Sequence, residues 1–185
     1  MGHTGGNLMR MMRRAGLLKR KIRVTQDFLL SSVDTANSTY TEVSGSSATN
    51  ACNTYPESGS ASTYSGFNLS RSGANIYYNF DLSSIPQNFK IINISCNIAS
   101  GIYYYFTSPS QSYVEICNGT SSITTNRGSI PSYTSATYGI VTISDSDLNI
   151  TNFNRNNTKL HIYISGATNS SYYLMGAKLT ITYEY

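Results

Sequence analysis

Two histidines, His3 and His161, are the only imidazoles in the 185-residue chain, so a hydrolytic triad has to be built on one of them. His3 lies in a basic N-terminal stretch, and His161 alternates with Leu160 and Ile162 on an outward, exposed strand face that it shares with Tyr163. No GxSxG elbow, P-loop, GxGxxG or HExxH accompanies them. Among the acids, Asp81, Asp145 and Asp147 could supply paired carboxylates for glycoside cleavage. Each, however, occupies a position that turn or cap chemistry already explains. The Asp145-x-Asp147 pair also lacks the further carboxylate and glycine of a calcium loop. Cys52, Cys96 and Cys117 are odd in number and show no CxxC spacing, which points to neither a zinc site nor a disulfide framework. Packed thiols in an intracellularly assembled protein are the expectation. Catalysis and a cofactor are therefore not expected.

What remains is neutral recognition chemistry. Tyr103, Tyr104, Tyr105, Tyr113, Tyr172 and Tyr173 offer flat rings, and abundant Asn and Ser offer uncharged hydrogen bonds. Of these, Tyr103, Tyr104, Tyr105, Tyr172 and Tyr173 are the candidate glycan-contact residues, against the alternative that alternating tyrosines line a core or sheet face. The N-x-Ser/Thr sequons match what chance gives in so Asn- and Ser-rich a chain, and no glycosylation is inferred.

The elements that must position these groups are strands. Charged residues make up 12% of the chain and Tyr numbers 16, the composition of short strands with hydroxyl-rich outer faces. The alternation is clearest in Ala74 to Ile98. Ile76, Tyr78, Phe80 and Leu82 share one face there, and Ile92, Ile94, Cys96 and Ile98 repeat the pattern. Asp81, Ser83 and Ser84 can cap free backbone N–H groups, and Pro86 removes a ladder donor, so the first strand should stop near Ser83. Further strands are expected in 24–43 around a turn at 34–38, at 102–107, 113–117, 140–143 and 160–164, and in 172–183 as two segments. A helix start is expected at Ser144 to Leu148, with Ser144 or Asp145 as N-cap. The Ser/Gly-rich stretch 44–66 reads as a long mobile loop, with Tyr55, Pro56, Tyr64 and Phe67 as possible pins. About eight strands at this spacing predict an all-β, jelly-roll-like antiparallel β-sandwich over residues 24–185.

Charge divides the chain. Arg10, Arg13, Arg14, Lys19, Arg20, Lys21 and Arg23 all precede the first acid, Asp27, giving residues 1–23 a charge of +7. The remainder holds six basic against nine acidic residues, a net of −3. The two parts should meet different partners. Leu8, Met12, Ala15 and Ile22 recur near helical spacing, but several glycines weaken a helix. No apolar run follows the basic residues as in a secretory signal, and none approaches the ~20 residues of a membrane span.

Tyr78-Asn79-Phe80-Asp81-Leu82-Ser83-Ser84-Ile85-Pro86, followed by Ile91 to Ile98 and by Gly176-Ala177-Lys178-Leu179-Thr180-Ile181-Thr182-Tyr183, resembles a β-sandwich domain of structural proteins from bacteriophages of low-GC Gram-positive bacteria. The resemblance covers roughly residues 65–185. It implies a non-enzymatic virion module on tail fibres, tail-associated proteins or capsid surfaces, present as a homo-oligomer or in many copies. The expected role is a capsid decoration or head fibre, anchored to other virion proteins by residues 1–23 and displaying the sandwich outward. A tail-fibre or receptor-binding component, contacting a host-surface glycan, is the neighbouring alternative. A free carbohydrate-binding module is the alternative of a different class.

Overall fold

Two 15-residue strands form the spine of the structure, a computed structural model that describes residues 21–56, 63–68, 73–104, 112–130, 132–133, 138–165 and 170–185. In chain order the strands are β1 (Arg23–Val33), β2 (Thr41–Glu42), β3 (Ser65–Asn68), β4 (Ala74–Phe80), β5 (Lys90–Tyr104), β6 (Tyr113–Asn118), β7 (Ser121–Ser122), β8 (Gly128–Ser129), β9 (Ser132–Tyr133), β10 (Gly139–Ile143), β11 (Thr158–Ile164) and β12 (Ser170–Glu184). The remaining regular structure among the described residues is three short 3-10 turns. The protein is an all-β, mostly antiparallel sandwich, in which β9 pairs parallel with β5, and the main path through it runs β10-β5-β12-β1-β4-β11-β6-β7.

Strand β1 joins the two sheets. Its first part, Arg23 to Leu29, pairs with β12 in one sheet; its second part, from Leu30, pairs with β4 in the other, with a bulge between Leu30 and Ser32. Such a bulge bends and twists a strand, which lets one segment serve both layers. The first sheet is β10-β5-β12 and the start of β1; the second is the end of β1 with β4, β11 and β6. Between them lie Ile76, Tyr78 and Phe80 of β4 and Leu160, Ile162 and Ile164 of β11, facing Ile94, Cys96 and Ile98 of β5 and Leu179 and Ile181 of β12. Each such side chain contributes about 1.5–3 kcal/mol by leaving water. At one margin β8 is wedged between the layers. A Cβ on Gly128 would stand 2.5 Å from Val141 of β10 and 2.9 Å from Val114 of β6, so only a bare backbone passes there.

Several expectations are met in altered form. The segments 91–98 and 102–107 are one strand through Tyr104, and 172–175 and 179–183 are likewise one strand, with its register shifted at Gly176. The helix start at Ser144 is a single 3-10 turn, Asp145–Asp147, in which the Asp147 carboxylate accepts the Ser144 N–H at 3.0 Å. Asp145 instead accepts the backbone N–H of Ile94 at 3.1 Å. As expected, β4 stops before the Asp81 turn, where Asp81 accepts the Ser83 N–H at 3.0 Å.

The first part of the Ser/Gly-rich stretch is tied down, contrary to its reading as a mobile loop. Ser65 donates to the Ala48 carbonyl at 2.8 Å and accepts from Ala51 N–H at 2.9 Å, while Thr54 donates to the Met175 carbonyl at 2.8 Å. Small residues dock a backbone closely, and hydrophobic patterning does not register them. Residues 57–62 lie outside the described set.

Candidate functional site

Among the described residues, the outer face of the second sheet carries a compact group of chemically capable side chains. The alternation that sends Leu160, Ile162 and Ile164 inward sends Lys159, His161 and Tyr163 outward. Register then places three rows across the sheet: Asn79–Lys159–Cys117, Tyr77–His161–Glu115 and Asn75–Tyr163–Tyr113. This face is not open. His161 is 5% exposed, Glu115 3% and Cys117 0%, so the expectation of a histidine on an exposed strand face is corrected. The Tyr77 ring lies flat on the imidazole, with centroids 4.1 Å apart and 4° between planes. Arg127, from the segment before β8, sits over Tyr113 at 4.0 Å. A second, partly aromatic layer thus covers a polar centre.

Within it His161 Nδ1 meets Glu115 Oε1 at 2.7 Å and Nε2 meets Asn75 Oδ1 at 3.1 Å. Arg127 Nε donates to the other carboxylate oxygen, Oε2, at 2.7 Å. Burial alone would raise the Glu115 carboxyl, but hydrogen bonds from His161, Ser122 and Arg127 outweigh it and hold the group below the usual carboxylate range. Burial first, and then the adjacent Glu115 charge, push the Cys117 thiol up to about 12. In the neighbouring row, Lys159 pairs with Asp34, whose carboxyl is lowered chiefly by that contact.

A histidine oriented by a carboxylate is half of a nucleophile-activating unit. Here the second ring nitrogen faces a carboxamide rather than a hydroxyl or thiol. The nearby Cys117 is held as a thiol, the reverse of an activated nucleophile. The arrangement can hold a buried charge group, and Glu115, Cys117 and His161 can also converge on a metal ion.

A second feature is a surface depression of about 530 Å³ that includes Gln87, Phe89, Asn118, Asn152, Phe153 and Arg155. Phe89 and Phe153 meet edge to face at 6.0 Å, and among the described residues no carboxylate lines it. It adjoins the start of β5, where Lys90 pairs with Glu184 and Glu184 with Arg23.

The sequence-predicted residues are placed unevenly. Arg10, Arg13, Arg14, Lys19 and Arg20 lie outside the described residues. Lys21 and Arg23 approach Glu184 at 3.8 and 2.7 Å, and Arg23, the last residue of the expected 1–23 segment, opens β1. Tyr105 lies outside the described residues, and of Tyr103 and Tyr104 only the backbone, in β5, is described. Tyr172 is fully buried against Phe67, which removes it from any glycan-contact face. Tyr173 is half-buried, edge-on to Tyr64 at 5.0 Å. The fold defines the class as all-β sandwich proteins. No protein-family model matches the chain, and no curated protein is significantly similar to it.

Proposed function

We propose that the chain is a non-enzymatic structural protein of a bacteriophage particle, a capsid decoration or head fibre fixed by its basic N-terminal segment and presenting the β-sandwich outward. The observation that carries this reading is the junction between the two parts. Ile22 and Tyr185 exchange backbone hydrogen bonds of 3.1 and 3.2 Å, so the chain at residue 22 lies beside the end of the last strand. Among the described residues, none before Val24 belongs to the core or packs against it. On this reading the basic segment orders against a partner, at a cost of roughly 1–2 kcal/mol per residue in backbone entropy. The resemblance of Tyr78 to Pro86 and of Gly176 to Tyr183 to phage sandwich domains supports the same reading, as does the commitment of both His161 nitrogens to Glu115 and Asn75.

The carboxamide-lined depression favours a second reading, a receptor-binding or carbohydrate-binding module, because neutral amides beside aromatic rings suit polyhydroxylated ligands. Immunogold labelling with antibodies against residues 21–185 separates the two. Label on intact particles is expected. Particles without label, together with glycan-array binding by the isolated protein, would reject the virion reading in favour of the second.

A further inference from the structure

We propose that Glu115, Cys117 and His161 form a binding site for a borderline-soft divalent ion of the zinc class. The sequence conceals the site. Two donors stand at i and i+2 on β6 and the third is the cross-strand partner of Glu115 on β11, a pattern that no CxxC or HxxxH spacing betrays. One donor atom from each residue lies within 4.8 Å of the other two, and all three residues are buried. In a tetrahedral zinc site, bonds of about 2.0–2.3 Å leave donor atoms about 3.4–3.6 Å apart. The His161–Glu115 contact therefore has to open, and the widest pair to close, by roughly 1 Å, a change within side-chain adjustment.

The donor set selects the ion. One thiolate, one imidazole and one carboxylate suit zinc or cobalt, whereas calcium and magnesium require a cage of oxygens. Two neighbours already stand where supporting groups belong. Asn75 Oδ1 faces Nε2 at 3.1 Å and can accept a proton there, so that Nδ1, once its own proton is displaced, presents its lone pair to the metal. Arg127 occupies Oε2 and leaves Oε1, the oxygen now facing Nδ1, as the single ligating oxygen. On binding, the Cys117 thiol gives up its proton, the proton on Nδ1 is displaced, and bonds form from the ion to Sγ, Nδ1 and Oε1. Nothing is oxidised or reduced. Thiolate and carboxylate together cancel the ion's two charges, which is what a buried site requires.

Cobalt(II) reports the site directly, because a thiolate ligand produces a sulfur-to-cobalt charge-transfer band. Full-length protein, stripped of metal and titrated with cobalt(II) chloride, should take up one equivalent with that band and release it to one equivalent of zinc. Cys117→Ser, a one-atom change, should abolish the band, and His161→Gln should weaken binding at least tenfold. Asn75→Ala should retain the band at about tenfold lower affinity. Cys52→Ser should behave as the unsubstituted protein. Absence of a stoichiometric band, its survival in Cys117→Ser, or its loss in Cys52→Ser would each overturn the proposal. Should His161→Gln not fold, the two cysteine variants still decide.

Discussion

Glu115 is the residue on which the buried outer face depends. Its carboxyl sits below the usual range because the hydrogen bonds from His161, Ser122 and Arg127 outweigh the cost of its burial. A group depressed in the folded state contributes stability that is present above its unfolded pKa of about 4.3 and is lost as pH falls through the lower folded value. Glu115→Gln should therefore cost about 2–3 kcal/mol at pH 7 and flatten the fall in stability as pH drops below about 4.3. Urea unfolding at stepped pH measures both. A variant as stable as the parent at pH 7, with the same acid slope, would show that the cluster is not the stabilising group described. At the same scale, Tyr172→Phe should leave glycan binding, where any is found, unchanged, since the ring is fully enclosed; loss of binding on an array would contradict that placement.

His161 shows why residue-level reading of a strand is incomplete. Alternation correctly put it on the face opposite Leu160 and Ile162, yet alternation cannot say whether that face is covered. The cover comes from Tyr77, from Tyr113 and from Arg127, which lies outside any long strand. Nor is the approach of β6 to β11 visible from one sequence, since 39 residues separate Asn118 from Thr158, paired end to end in the ladder. The face was legible; the site was not.

Elements were more legible than their lengths. The patterns of 76–80 and 92–98 fall in β4 and the first half of β5, because period-two burial is what those strands do. The splitting of 172–183 into two segments has a physical origin at Gly176, where φ is +151° and the ladder between β12 and β5 shifts register. The Thr54 carbonyl occupies the place that a Cβ on Gly176 would fill. Substitution there combines backbone strain with a backbone clash. Gly176→Ala should lower stability by at least about 2 kcal/mol, read from the shift of the chemical unfolding midpoint. A change below about 0.5 kcal/mol, the scale of ordinary surface substitutions, would mean that the 48–54 segment does not seat on β12 as described. The same contact explains the misjudged loop: it is held by Ser65, Thr54 and two buried alanines, none of which carries a hydrophobic signal strong enough to read in sequence.

At the scale of the whole molecule the chain has two parts, a basic segment and a sandwich, with their junction at Lys21 to Arg23. Lys21 and Arg23 pair with Glu184, and Ile22 with Tyr185. Charge alone set that border at residue 23; strand β1 opens at Arg23 and Ile22 already pairs with Tyr185, because an arginine can open a strand as readily as it can belong to an arm. Exposed ion pairs of this kind contribute about 0–1 kcal/mol each, so the junction positions the segment without fixing the fold. The most direct measurement is to delete residues 1–20, keep Lys21 to Arg23, and compare thermal unfolding and co-sedimentation with phage particles against the full chain. The account predicts an unchanged melting curve together with loss of the protein from the particle fraction. A truncated protein that still joins particles at full occupancy, or that no longer folds, would contradict it.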